Sequence, residues 1–444
     1  MVESPIHAGD SVALSADDLR DAWHVLSSAE RLEGFRLLPR DEAEDFFFTL
    51  SPVDQCDIVL GLPQSERRSW MRLLAPDDAA DLVQAAGDDR DPLLALLDEP
   101  TRKEVQALLA YKEDVAGGLM SPRYARVRAG ATVDEAISYL RKQARERLET
   151  LYYAYVIDPD QRLVGVVSFR DLFAAGPSKT VADVMSTDLV TVNAETDQEA
   201  LSHLFAQYDL LAIPVVDEIG RMKGIVTVDD IVDVVEEEAT EDIQKLGGTS
   251  ALEEPYLQTS MPTMITKRGG WLCVLFLSEM LTTTAMQYYD HAIAKAVVLA
   301  IFLPLLISSG GNSGSQACTL VIRAMALGEV RLKDWFRVVK RELAIGLSLG
   351  LVLGLIGFLR IVLWPGRAHA YTEHYLLVGA TVGTSLIGIV TLGTFSGSML
   401  PFVLRRVGLD PASASAPFVA TLVDVTGVIL YFTLASYFLA GTLL

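Results

Sequence analysis

Leu422-Val423-Asp424-Val425-Thr426-Gly427-Val428-Ile429-Leu430 sets one carboxylate inside an otherwise apolar segment near the end of the chain. A carboxylate at mid-bilayer depth costs about 2.5–3.5 kcal/mol on insertion scales, so it faces a helix-bundle interior or a watery path rather than lipid. No Lys or Arg follows Asp424, and the nearest basic residues before it, Arg405 and Arg406, lie at a helix end. A group without a sequence-local partner suits a passing cation. The competing reading is a structural carboxyl hydrogen-bonded to Thr421 or Thr426.

Four further apolar spans precede this one, giving five at about residues 271–289, 292–322, 342–364, 375–404 and 415–443. Each meets the roughly 20 helical residues needed to cross a hydrocarbon core. The second and fourth are rich in Gly, Ser and Thr, which predicts close helix packing or a locally broken helix lining a pore. Asn312, in Gly310-Gly311-Asn312-Ser313-Gly314, is expected to cap such a break rather than hold an ion. Lys267, Arg268, Arg331, Lys333, Arg337, Lys340, Arg341, Arg405 and Arg406 flank one side, whereas the connection at 367–374 carries little positive charge. The positive-inside rule then puts the N-terminal domains in the cytosol and, with five spans, the C-terminus outside. His291, His369 and His374 fall in the outer loops without metal-ligand spacing.

The front of the chain is chemically different. Of 58 acidic and 37 basic residues, 8 and 11 lie in residues 269–444, leaving 50 and 26 ahead of them, a net charge of −24. So negative a surface excludes nucleic acid as a partner and favours divalent cations as counterions. Cys56, Cys273 and Cys318 are scattered and odd in number, which argues against a disulfide framework or a zinc site. No charged-then-apolar leader opens the chain, as expected for domains folding in the cytosol.

Within that front part, Leu38, Leu50, Leu62 and Leu74 recur every 12 residues, each followed within two residues by proline (Pro39, Pro52, Pro63, Pro76). Proline at a first helical turn followed by carboxylates is a helix start, so residues 1–115 read as short helices stacked in a superhelical domain. The pattern then changes to strands and helices and occurs twice. Tyr153-Ala154-Tyr155-Val156-Ile157-Asp158, a turn, Leu163-Val164-Gly165-Val166-Val167-Ser168 and Asp171 are echoed by Ala212-Ile213-Pro214-Val215-Val216-Asp217, a turn, Met222-Lys223-Gly224-Ile225-Val226-Thr227 and Asp230. Thr132-Val133-Asp134-Glu135-Ala136 is likewise echoed by Thr196-Asp197-Gln198-Glu199-Ala200. This duplication resembles a tandem pair of α/β CBS modules, at residues 116–178 and 179–235. An acidic helix follows from Ile231 to Leu246 and ends at Gly247-Gly248; it opens a connecting segment over 236–258 that leads to a membrane domain over 259–444.

In this order the segments resemble the MgtE-type magnesium transport family. The most specific stretches are Tyr111-Lys112-Glu113-Asp114-Val115-Ala116-Gly117-Gly118-Leu119-Met120, the run Val228-Asp229-Asp230-Ile231 through Glu241-Asp242-Ile243, Gly310-Gly311-Asn312-Ser313-Gly314-Ser315-Gln316, and Asp410-Pro411-Ala412 with Thr421 to Gly427. The resemblance implies a multidomain fold: an α-helical superhelical N-terminal domain, tandem CBS modules, a long connecting (plug) helix and a five-helix transmembrane domain. It implies a homodimer in membrane lipid with a pore on the dimer axis, lined by the second and fifth membrane helices. Asp424 matches the pore aspartate that holds largely hydrated Mg2+, with the Ala420 carbonyl accepting from its waters. Mg2+ gives up its inner waters reluctantly, so reading the hydrated ion suits rapid passage.

The resemblance also assigns regulatory Mg2+ sites to Asp77 and Asp81, to Asp197, Glu199 and Asp209, to Asp230, Asp233, Glu238, Glu241 and Asp242, and to Asp410. Mg2+ bridging would remove like-charge repulsion, draw the domains together and close the pore; low Mg2+ favours the open form. Tyr153, Arg170, Asp171 and Asp230 match nucleotide contacts, which implies ATP as a second ligand. Two positions depart from the family: Ala416 stands where Asn often precedes Pro417, and Leu210 replaces an aromatic ATP contact beside Asp209. No nucleotide-hydrolysing loop or nucleophile-base set is present, so the expectation is a conducting protein and not an enzyme. The alternatives are a broader carrier of Co2+, Ni2+ or Mn2+, and a CBS-based sensor without conduction.

Overall fold

Proline and serine punctuate the first domain of the computed structural model, which describes residues 14–145, 148–252, 256–257, 259–366, 371 and 373–443. His369, named above, lies outside that set. Successive helices begin at Ser28, Arg40, Pro52, Gln64 and Pro76, an interval of 12 residues each time. Pro52 and Pro76 occupy the first helical turn, while Pro39 and Pro63 are N-caps. Leu38, Leu62 and Leu74 are buried between the helices, beside an aromatic group of Phe35, Phe46, Phe47 and Trp70. The last helix of the repeat, α1 (Pro76–Ala85), carries Asp77, Asp78 and Asp81.

The two modules that follow share one topology. In the first, β1 (Arg126–Val127) pairs parallel with β2 (Tyr153–Ile157), which pairs antiparallel with β3 (Leu163–Ser168); α2 (Val133–Gln143) connects β1 to β2. In the second, β4 (Val192–Asn193), β5 (Ala212–Val216) and β6 (Met222–Thr227) repeat the order, with α3 (Gln198–Tyr208) as connector. Both antiparallel pairs slip register at the same point, Val156/Ile157 and Val215/Val216, so the duplication reaches down to the bulge. Thr132 caps α2 in a reciprocal box with Glu135, and Asp197 caps α3 by accepting from the Glu199 amide at 3.0 Å.

By its internal contacts the chain divides at Glu238/Ala239, inside the acidic helix α4 (Val228–Leu246). Gly248, in the left-handed region at φ 75°, ends the chain's turn out of this helix.

Five helices among the described residues are long and apolar enough to cross a membrane: α5 (Met261–Tyr288), α6 (Leu303–Ala326), α7 (Trp335–Val362), α8 (Tyr375–Val407) and α9 (Ala416–Phe438). The first starts ten residues before the expected 271, because Ser260 caps it and Pro262 fits its first turn; Lys267 and Arg268 are therefore helical. Glycine decides the packing of the rest. A Cβ on Gly393 would collide with the Gly310 carbonyl oxygen, and one on Gly397 with that of Gly314, so α6 and α8 cross backbone to backbone on paired Gly-x-x-x-Gly stripes. Gly346, Gly350 and Gly354 do the same for α7 against α8.

The choice left open for the glycine-rich run thus falls to close packing. Asn312 lies mid-helix in α6 and caps nothing; its amide donates to the Ser308 hydroxyl at 3.4 Å. Breaks do occur before the run, at Ala296 and at Ile301–Phe302, ahead of Pro304. Gly397→Ala should lower the stability of the detergent-solubilised protein by about 1–3 kcal/mol, the usual cost of overpacking. A melting temperature unchanged in scanning fluorimetry would contradict this account of the α6–α8 crossing.

Candidate functional site

Two groups of carboxylates stand out, one in each unit. In the membrane unit α9 is held at both ends. Ser415 stands at its N-cap position and its hydroxyl accepts from Trp271 Nε1 at 3.0 Å; the Ala416 carbonyl accepts from Ser315 at 3.2 Å; the buried Tyr431 hydroxyl donates to the Leu299 carbonyl at 3.0 Å. Val419, Val423 and Gly427 form its buried stripe, with Ala420 seated on Gly311 of α6. Asp424 is half-buried one turn beyond Ala420 in the same unbroken helix. The two nearby hydroxyls donate elsewhere: Thr421 to the Phe418 carbonyl and Thr426 to that of Leu422, each at 2.9 Å. Neither threonine therefore donates to Asp424. The neighbour Asp424 does have is another acid, Glu279 of α5, with the two carboxyl groups in hydrogen-bonding contact.

At the entry to α9, Asp410 accepts from the Ala412 amide at 2.8 Å and from Lys245 Nζ at 2.6 Å. Lys245 also pairs with Glu241, one turn earlier in α4. Glu241 and Asp410, each expected at a regulatory Mg2+ site, here share the chain's own ammonium. Leu246 and Gly248 continue the contact, against the membrane core and against Trp271 and Pro417.

In the first unit, Asp77, Asp78 and Asp81 of α1 face the start of α4. Asp77 is buried, and one of its oxygens has no hydrogen-bond partner among the described residues. Burial pushes its carboxyl well above the ordinary range, with Glu149, Asp78 and Asp230 adding repulsion. Burial also pushes Asp81 up to about 7, helped by Asp78, Glu113 and Glu237. Asp230 is pushed up to about 7 by burial although the Thr227 hydroxyl donates to it at 2.7 Å. Burial raises Asp233 too, with Glu236 and Asp229 contributing. Sequence reasoning missed Glu149, which accepts from the Ser121 hydroxyl at 3.0 Å and sits in a loop with no periodic signal.

No three His, Cys, Asp or Glu side chains among the described residues converge as a closed metal cage. Mg2+ does not require one, since it keeps several waters and takes one or two carboxylates. The unpartnered Asp77 oxygen within so concentrated a negative field fits such an ion.

The remaining candidates separate. Asp197 and Glu199 begin α3 and Asp209 ends it, at φ 51°, so an 11-residue helix of about 1.5 Å rise per residue keeps them from forming one site within a chain. Glu238 accepts from the Gln198 amide at 2.7 Å, and Asp242, half-buried, follows Glu241 in α4. In the modules, Asp171 accepts from the Ser168 hydroxyl at 2.5 Å, mirroring Asp230 with Thr227; Arg170 is exposed and Tyr153 half-buried.

A family model described as a divalent cation transporter, MgtE, matches residues 303–434; the MgtE intracellular N domain matches 14–114, and the CBS domain matches 114–178 and 181–237. Over 340 residues the chain is 46% identical to the magnesium transporter MgtE of Thermus thermophilus, spanning 77% of this chain and 73% of that one. It is 33% identical over 336 residues to the magnesium transporter MgtE of Enterococcus faecalis, spanning 76% and 72%. Among solved structures, the cytosolic domain of the Mg2+ channel MgtE in complex with ATP is 44% identical, with a TM-score of 0.46 over 50% of this chain and 90% of that one.

Proposed function

This chain belongs to the MgtE family of magnesium transporters, a membrane protein with cytosolic N-terminal domains, and from there we propose that Mg2+ passes along α9 and closes its own path through the acidic first unit. Asp424 carries the proposal. Its carboxylate lies mid-helix in a membrane span, with the flanking hydroxyls tied to backbone and no basic side chain beside it on α9. A carboxylate kept there at an energetic cost is explained by a cation that visits it. In a homodimer the second copy of Asp424 would double the charge on the axis, and the odd number of spans would leave the C-terminus outside.

Gating follows from the first unit. Hydrated Mg2+ ions among Asp77, Asp81, Asp230 and Asp233, each held by no more than two carboxylates, would offset the repulsion and fasten α1 to the start of α4. The far end of the same helix is anchored through Lys245 to Asp410, ahead of α9. An ion that binds the closed arrangement better shifts the population toward it. ATP would be a separate ligand of the CBS pair, through Tyr153, Arg170 and Asp171; absence of binding in equilibrium dialysis at millimolar ATP would remove it.

Flux in proteoliposomes under a potassium diffusion potential tests the transport reading. Expected is Mg2+ entry that follows the potential, needs no second ion gradient and exceeds entry of Co2+, Ni2+ and Mn2+. Equal entry of all four metals would replace the Mg2+-selective reading with a general divalent one.

A further inference from the structure

α5 contains one acidic residue, Glu279, between Met261 and Tyr288. Its position is not accidental with respect to the helix faces. Leu275 and Thr282 are buried, whereas Phe276, Leu277, Met280 and Leu281 are exposed; steps of four and three residues put Leu275, Glu279 and Thr282 on one stripe. That stripe packs along α9, and the two helices run side by side in the same direction. Trp271 meets Phe418 at a ring separation of 5.9 Å near one end, and Tyr289 stacks on Phe432 at 5.2 Å near the other. Between these two levels the carboxyl of Glu279 reaches that of Asp424.

A second observation comes from Thr282, one turn further along the same face. Its hydroxyl oxygen is buried, the residue being 6% exposed, and has no hydrogen-bond partner among the described residues. Threonines in these spans commonly donate to the carbonyl one turn back, as Thr284 does to Met280, Thr426 to Leu422 and Thr433 to Ile429. Thr282 does not. Side chains on a helix lean toward its N-terminus, which directs this hydroxyl back toward the Glu279 turn. A buried hydroxyl left without a partner awaits one, and a metal-bound water supplies it.

We propose that Glu279 is a second carboxylate of the Asp424 cation site, and that Glu279, Asp424 and the Thr282 hydroxyl together grip the water shell of a divalent cation. The inference rests on Asp424 belonging to the conduction path. Its chemical content is charge matching. Each protomer brings two carboxylates to the site, and a hydrated divalent ion balances twice as much of that charge as a monovalent ion does in a poorly solvated place. Glu279 is therefore a determinant of divalent over monovalent selection.

The test uses the full-length protein in proteoliposomes, with Mg2+ as the probe and Na+ as the competitor. Glu279→Gln keeps size and hydrogen bonding but removes the charge. It should raise half-saturating Mg2+ at least tenfold and lower the Mg2+ to Na+ permeability ratio, with Glu279→Asp restoring much of both; Thr282→Val should raise half-saturation about threefold. A carboxyl pair serving only to join α5 to α9 would leave half-saturation and selectivity unmoved in Glu279→Gln, and that result overturns the proposal. Should Glu279→Gln fail to run as a monodisperse protein, unchanged half-saturation in Thr282→Val overturns it as well. Asp424→Ala separates the two levels of inference. If it stops flux while the Glu279 variants are silent, only the second carboxylate is lost; if flux survives it, the conduction path itself is wrong.

Discussion

Asp424→Ala stops Mg2+ uptake and leaves a protein that inserts at least as well as the parent. The two halves of this expectation have one cause. A carboxylate at membrane depth opposes insertion by about 2.5–3.5 kcal/mol, which alanine gives back. The same charge attracts a divalent ion by about 8 kcal/mol at 4 Å and an effective dielectric constant near 20, twice the monovalent figure. Losing even a third of that attraction from the passage barrier slows transport about 100-fold. The local hydroxyls do not compensate, since Thr421 and Thr426 already donate to their own helix. Mg2+-dependent growth of a transport-deficient host, together with flux in proteoliposomes, reads the effect; size-exclusion chromatography reads the fold. A monodisperse variant that still supports growth at low Mg2+ would remove Asp424 from the path.

What could be read in advance follows the range of the interactions. Helix starts at Pro52 and Pro76, the duplicated strand pairs and the glycine end of α4 depend on neighbours a few residues away, so their signatures survive in a single chain. Asp424 was legible because an isolated charge in an apolar segment needs no partner to be conspicuous. Glu279 has the same local signature in α5, yet its meaning depends on a helix 145 residues later, and neither segment encodes that pairing.

Other features were within reach. Lys245 stands four residues after Glu241, an ordinary helical ion pair, and the length of α3 alone separates Asp197 from Asp209. Glu149 was not within reach. It joins the Asp77 group from a loop whose path is set by tertiary packing.

The acidic first unit makes the second large expectation: stabilisation by Mg2+ that grows steeply with pH. Asp81 and Asp230 are pushed up to about 7, and Asp77 is raised well above the carboxylate range, in each case by burial first. In the unfolded chain such carboxyls titrate near 4. Between about pH 4 and 7 the folded state therefore holds protons that the unfolded chain has released, and the sign is fixed. Stability without Mg2+ is fully present at low pH and is lost as pH rises through 7, because ionisation is resisted only in the folded form. Above pH 7 the repulsion stands uncompensated, so a cation that binds only the folded arrangement has most to relieve there. Saturating to a hundred times its dissociation constant adds about 2.7 kcal/mol. Melting of the full chain in detergent, with EDTA or 10 mM Mg2+, should show a small Mg2+ shift at pH 5.5, where protons hold the site, and a shift several degrees larger at pH 8. Asp77→Asn removes the most deeply buried member and should raise the melting temperature in EDTA at pH 8 while shrinking the Mg2+ increment. Equal Mg2+ shifts at both pH values, or an unaltered increment in Asp77→Asn, would mean that these carboxylates repel one another without sensing the ion.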